Sequence, residues 1–467
     1  MPDFLFPEPI STKQLIFFAM TLGYFAVALP AVVRFAWVEK ICIAGIIFMS
    51  INPIDITIFS YTNYRGDIRG IEFGVTDWFL FSLLYSMYFS PRWRSRKISY
   101  TMPNSILAWS YFGLCAISIF TAIVPQFAFF GFTRLIRAYL LMWVAFNWIR
   151  STNDLQFIIW CVLGISAYSF VGVLNDKYIK GTFPPRGSFP HQNSLATFQN
   201  FMNVIVFAFL IGDRGRLFEK KTLFYWIALG SGTLTTLATL SRGGLATMFV
   251  GYFIVFFAVT LLKSRPTVRK KKWKIIGILT GLSIPMLGFL LPPIINRFLN
   301  APKESAEARD IFNEVARELG EQRFFGVGLN NYSYAGVTEY SEVLGLVDAG
   351  GLAHHIYWLH YAELGILGPI LWTLFMLSFI YFCAKYTLQR KSNTETLFAI
   401  GVGTGIFLAM LIGTLEWNFK QTSLCFTYLM FGGFVLSMGR VEKSRMKEER
   451  LKKYLLMQQL LSTPKFR

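Results

Sequence analysis

AHHIYWLHYAELGILGPILWTLFMLSFIYFCA, Ala353 to Ala384, decides how the rest of the chain is read. From residue 356 it is apolar for longer than the roughly 20 residues a helix needs to cross a bilayer. Its head carries three of the four histidines, His354, His355 and His360, directly after a long acidic, polar segment. The fourth, His191, stands in RGSFPHQNSLA, Arg186 to Ala196, which also opens an apolar run after a Gly- and Pro-rich stretch. Imidazole exchanges a proton near neutral pH, so its confinement to two such mouths points to a chemical site there.

Comparable apolar runs recur from end to end, at about 13–33, 36–54, 74–90, 100–124, 127–148, 154–175, 194–211, 222–240, 244–262, 275–293, 356–384, 395–415 and 421–438. The 467 residues are 54% hydrophobic and only 15% charged, with a mean hydropathy of +0.46. These values predict an all-α polytopic membrane protein of about twelve or thirteen helices. No short apolar run ends in a small-residue cleavage site, so no removable signal peptide is expected.

The net charge of +19 raises the question of nucleic acid, and the placement of the charge answers it. Pro91–Lys97, Gly212–Lys221, Lys263–Lys274, Lys385–Lys391 and the tail from Arg440 hold 27 of the 45 Lys and Arg. Short basic loops between spans mark the cytoplasmic side, so the basicity records topology and contact with membrane lipid, with no nucleic acid implied. The loops around 176–193, 241–243, 294–355 and 416–420 then face the other side. The longest, Ile294 to Ala353, has nine Asp and Glu against five Lys and Arg, as a translocated loop should. Topology before residue 74 stays open: two separate early spans put the N-terminus outside, and a hairpin or a missed span puts it inside.

One membrane domain, 1–438, is expected, with an outer cap at 294–353 and a basic cytoplasmic tail at 439–467. Within the cap, Ile311, Val315 and Leu319 recur at i, i+4 and i+8 among charges, the stripe of a surface helix. FFGVGLNNYSYAG, Phe324 to Gly336, has the composition of a tight turn near a ligand, and Gly350 and Gly351 suggest a flexible break before His354. In the tail, Leu451, Tyr454 and Leu455 fall at helical spacing. The five cysteines all lie in apolar runs without CxxC spacing and read as buried hydrophobes.

Arg186 and His191, Arg242 in LSRGG, Arg309 in EARD, and the His354–His355 pair all fall on the outward side. Guanidinium at the mouth of an apolar bundle is costly without an anionic partner. Three of them suit a phosphate or pyrophosphate, whose oxygens match their paired donors, and a histidine beside them suits proton removal from an attacking hydroxyl. Each residue also has a structural reading. A loop arginine often meets lipid headgroups or an acidic neighbour, and His191 with Asn193 can cap the following helix. His360 reads as a packing or hydrogen-bonding residue, and Glu363 as the partner of an arginine that holds the helix. A metal site finds little support, since adjacent histidines face different sides of a helix and no HExxH accompanies them.

In order and spacing, GSFPHQNSLA, SRGG, the Arg309 helix leading to FFGVGLNN, and AHHIYWLHYAELGILG resemble the O-antigen ligase and O-antigen polymerase family of bacterial envelope enzymes. That family's pattern has Gly-x-x-x-His-x-Asn-x-Leu-Ala, an arginine before Pro-x-x-Gly-x-Gly, and His-Asn-x-x-Leu running into Glu-x-Gly-x-x-Gly. The resemblance covers about 100 to 435; Phe324 or Arg323 replaces the usual proline, and His355 stands where asparagine is common. It implies a metal-independent inverting glycosyltransferase without cofactor in the bacterial inner membrane, working on the periplasmic face in surface polysaccharide synthesis. The implied donor is an undecaprenyl-pyrophosphate-linked glycan, and the acceptor is a saccharide or lipid-linked saccharide, which separates a polymerase from a ligase. Arg186, His191, Arg242 and Arg309 would bind substrate. His354, or His355 with the register shifted by one, would be the general base, and Tyr332, Tyr334, Tyr357 and Trp358 are candidates to stack on sugars. A transporter or flippase of lipid-linked oligosaccharide competes with this expectation; it would show related halves and charges deep in the spans.

Overall fold

The computed structural model describes residues 8–462 apart from 52, 62–63, 265, 300–302 and 345–349. Parts of the expected cap (300–302 and 345–349) and tail (463–467) thus lie outside the described residues. The chain is a polytopic, almost wholly helical membrane protein. Its elements are α1 (Thr12–Arg34), α2 (Ala36–Met49), β1 (Asp55–Ile58), β2 (Ile71–Gly74), α3 (Val75–Phe89), α4 (Pro91–Arg94), α5 (Ser105–Thr121), α6 (Pro125–Trp148) and α7 (Thr152–Leu174). There follow α8 (Gln192–Gly212), α9 (Lys220–Ala238), α10 (Arg242–Thr260), α11 (Pro266–Leu299), α12 (Lys303–Gln322), α13 (Tyr332–Glu339) and α14 (Ser341–Leu344). The chain ends with α15 (Ile356–Leu364), α16 (Leu367–Thr387), α17 (Thr394–Ile412) and α18 (Thr422–Ser462).

Every apolar run read from the sequence becomes helical, all but one as a single helix. Among the described residues, eight meet both the length and the apolarity of a full span; α2 and α3, at 14 and 15 residues, fall short of it. The run 356–384 is not one helix. It breaks at Gly365, whose φ of +66° only glycine adopts cheaply, and a Cβ there would also strike the Phe324 carbonyl. The short α15 is thereby separated from the spanning α16.

Polar contacts sort the loops into two ends. At one end, Lys263 N donates to Arg390 O at 2.8 Å, Lys271 Nζ to Asp213 O at 3.2 Å, and Arg445 meets Glu395 at 2.8 Å. Arg440 reaches Asn147, and Arg150 reaches the carbonyl of Lys97, so the five basic segments share this end. At the other end, Ile356 N bonds Gly413 O at 2.7 Å and Val124 N bonds Asn331 Oδ1 at 2.8 Å. The antiparallel hairpin β1–β2, paired Asp55 to Gly74 through Ile58 to Ile71, caps that same end and receives the start of α1, where Gln14 Nε2 donates to Thr57 O. α1 finishes beside Arg92, which bonds the carbonyls of Val32 and Val33, so α1 and α2 pass separately and α1 starts at the end away from the basic loops.

The core lies around α8, buried from Ser194 to Gly212 and wrapped by α7, α9, α10 and α17, with α6 against α18 beside it. α18 runs unbroken from the membrane into the tail, so the expected boundary at 438 falls inside one helix. The five cysteines are free and buried.

Candidate functional site

The site forms where three loops and one amphipathic helix meet at the end away from the basic loops. α12 buries Phe312, Val315, Ala316 and Leu319 against α15, and this stripe extended one turn back places Arg309 toward the bundle. α17 ends at Ile412, and the chain turns through Glu416 before α18. Glu416 is 7% exposed and collects the neighbouring polar groups. Arg309 NH2 lies 3.1 Å from its Oε1, Asn193 Nδ2 donates to the same oxygen at 2.5 Å, and His354 Nδ1 stands 3.5 Å from Oε2. The His354 nitrogen is shielded from solvent and lies within ion-pairing distance but outside hydrogen-bond geometry. Burial alone raises the pKa of a carboxyl group; here the His354 contact, the Arg309 charge and the Asn193 bond outweigh burial and hold Glu416 below its ordinary value.

His191 is both part of this cluster and a helix cap. Its Nδ1 accepts from Asn193 N at 3.2 Å at the head of α8, and that cap presents the Asn193 amide to Glu416. Partial burial lowers the His191 pKa; the Glu416 charge opposes this, while the charges of Arg309, His354 and Arg186 add to it. Arg186 is exposed on the same loop, with NH1 3.5 Å from Pro190 O, and its backbone N–H and that of Gly187 are tied to Asp176 at 3.1 and 2.7 Å. Arg242 opens α10, whose first turn packs so closely that a Cβ on Gly243 would come within 2.6 Å of Ile412 and one on Gly244 within 2.5 Å of Ala196. Arg242 therefore begins its helix beside both the His191 and the Glu416 segments, and its side chain is exposed.

The two adjacent histidines separate cleanly. His355 is the N-cap of α15: its Nδ1 accepts from Trp358 N at 3.3 Å, its ring lies against Tyr357 and Trp358, and partial burial lowers its pKa. His354, just before the cap, turns to Glu416. His360 is fully buried, bonded to the Tyr111 hydroxyl and to Ile356 O, each at 2.8 Å.

Several expectations change on contact with the geometry. Glu363 pairs with Lys420 and not with an arginine, because Lys420 follows Glu416 in the same turn and is buried against α15. The glycine turn at Phe324–Asn331 forms, but within the protein: Val327 N and Gly328 N bond the carbonyls of Ala362 and Glu363 at 2.8 and 2.9 Å. Tyr332 is fully buried, its hydroxyl bonded to Phe312 O at 2.7 Å, so it offers no face to a sugar. Gly350 and Gly351 serve close packing, since a Cβ on them would meet Arg65 and Phe312. Sequence reading passed over Glu416, although an acid within a short outward loop, LEWNFK, at the mouth of two spans carries the same signal that singled out the arginines.

His191, Arg309 and His354 gather around one carboxylate, Arg186 is exposed on the His191 loop, Arg242 starts beside them, and His355 stays in its helix cap. Compared with protein-family models and with curated proteins, the chain finds no match.

Proposed function

We propose that the protein is a glycosyltransferase of the bacterial inner membrane, similar in its motifs to O-antigen ligases and polymerases, with its site on the periplasmic face. The observation that carries this reading is the convergence of His354, Arg309, Asn193 and His191 on Glu416, at the end of the bundle away from the basic loops. With Nδ1 held toward Glu416, His354 has Nε2 left to take the proton from an acceptor sugar hydroxyl. The hydroxyl oxygen then attacks the anomeric carbon of the donor, the bond from that carbon to the phosphate oxygen breaks, and the configuration inverts. Undecaprenyl pyrophosphate leaves with the electron pair, and Arg186, Arg242 and Arg309 stabilise its charge. Glu416 stabilises the imidazolium that forms, as the buried acid of a hydrolase triad does.

The second reading, a flippase for the same lipid, draws on Arg134, buried inside α6, and Arg137, partly buried one turn further along it. Both are committed to acids, Arg134 to Asp67 between the hairpin strands and Arg137 to Asp77 in the first turn of α3, which favours a structural use.

The test is glycan transfer in proteoliposomes from a lipid-pyrophosphate donor. His354→Ala should lower turnover by about 10²- to 10⁴-fold with donor binding retained, and Arg309→Ala should weaken donor binding as well. Undiminished transfer in both, or lipid translocation with no new glycosidic bond, would overturn the proposal in favour of the flippase.

A further inference from the structure

Beneath the site lies an ion pair that the proposed chemistry does not use. Lys420 Nζ meets Glu363 Oε2 with side chains only 2% and 1% exposed. Lys420 ends the 3-10 turn Asn418–Lys420, four residues after Glu416, and Glu363 lies in the last turn of α15, which begins two residues after His354. The upper ends of the same two segments are also joined, by the Ile356 N to Gly413 O bond at 2.7 Å. α15 and the 413–420 segment therefore close a ring, tied at both ends, with Glu416 on one of its sides and His354 two residues before the other. Each side is fixed from outside as well. Arg134 of α6 bonds the Lys420 carbonyl, Asn418 Nδ2 donates to Ala409 O at 2.8 Å, and Gly328 N holds the Glu363 carbonyl at 2.9 Å.

We infer that Lys420 and Glu363 are a positioning pair that sets the separation of His354 from Glu416. The inference rests on the proposed base role of His354. A buried ion pair is a poor device for stability, because desolvation consumes most of its attraction, and apolar replacement of both members is commonly neutral or better. What a charged pair supplies here is a fixed register between two segments that carry one proton-transfer unit, where displacement by about 1 Å costs up to about 100-fold in rate.

The experiment compares the full-length wild type, His354→Ala, the double variant Lys420→Met with Glu363→Leu, and the charge swap Glu363→Lys with Lys420→Glu. Each is assayed in proteoliposomes for kcat, for KM of the lipid-pyrophosphate donor, and for Tm. The double variant should keep Tm and hold KM within about twofold while kcat falls about 10- to 100-fold, and the swap should recover much of that kcat. Full kcat in the double variant would overturn the inference. So would a loss of kcat that merely follows a loss of Tm, since the pair would then be holding the fold and nothing finer. If His354→Ala transfers like wild type, the base role fails first; if it is inactive and the double variant is not, only the positioning role fails.

Discussion

The protein carries two groups of charges at the same end of its bundle, built from the same residue types and differing in depth. The lower group is a belt in which Arg134 pairs with Asp67, Arg137 with Asp77 and Glu72, and Lys420 with Glu363. Arg134, Asp67, Lys420 and Glu363 are all at most 6% exposed. The upper group leaves Arg309 31% and His354 26% exposed around a single carboxylate, with a histidine nitrogen near it but not bonded to it. Charges in the belt are each committed to a partner and tie the β1–β2 hairpin, α6, α15 and the 413–421 segment together. Those above retain donors and an open side. Deep, paired charge thus serves to hold elements in register, while shallow, incompletely paired charge is where a ligand and a proton can be handled.

Breaking the belt should have the largest effect. Arg134→Met leaves Asp67 buried without its cation and should cost about 3–5 kcal/mol, read as a steep fall in Tm and in yield of folded protein. Adding Asp67→Leu should return most of that loss, and failure to do so would mean that the bond from Arg134 to the Lys420 carbonyl matters more than the ion pair. The same kind of change above should behave differently. Glu416→Gln keeps an acceptor for Asn193 and Arg309, so Tm should move little, while transfer falls about tenfold or more through loss of a charge-assisted contact of roughly 1.5–3 kcal/mol. A Tm fall matching that of Arg134→Met would erase the distinction between the two groups.

The distinction was only half legible in the sequence. Apolar length and basic loops are local signals, so the helices, the two-sided topology and the mouths holding His191 and His354 could be read directly. Arg309 was found because it is an arginine on the outward side, on the helix leading to the glycine turn, and His354 because histidine is scarce. Glu416 and Lys420, in one short loop, and Asp67, in a hairpin, gain their meaning only from partners 57 to 223 residues away: Glu363, Arg309, Asn193 and Arg134, none of which a local pattern predicts. The glycine turn shows the converse. Its composition reports backbone conformation, here φ of +70° and +98° at Gly326 and Gly328, and not whether the turn faces a ligand or a neighbouring helix.

The adjacent histidines sharpen the comparison at a smaller scale. His355→Asn keeps an N-cap and should leave both Tm and transfer near wild type, whereas His355→Ala should cost about 1 kcal/mol of stability through the lost cap. Transfer should fall far less in His355→Ala than in His354→Ala when both are assayed side by side. A reversal of that order would move the base role to the cap residue.

The smallest effect is the dependence of stability on pH, and its sign follows from the two shifted groups at the site. Glu416 has its pKa held below the ordinary 4.5, so its ion pairing contributes fully above that value and is lost as pH falls through the lower folded value. His191 has its pKa lowered below 6.5, so the folded state takes up its proton less readily than the unfolded chain, and stability declines as pH drops below 6.5. Both groups therefore weaken the fold on acidification, in two separate windows. His191→Asn, which preserves the cap, should flatten the Tm profile just below pH 6.5 while leaving the fall below 4.5 in place, and Glu416→Gln should do the reverse. Because His191 remains solvent-accessible, its step should be the shallower of the two. A profile in which Glu416→Gln removes the step near 6.5 instead would mean that the carboxylate and the His191 ring titrate as one unit.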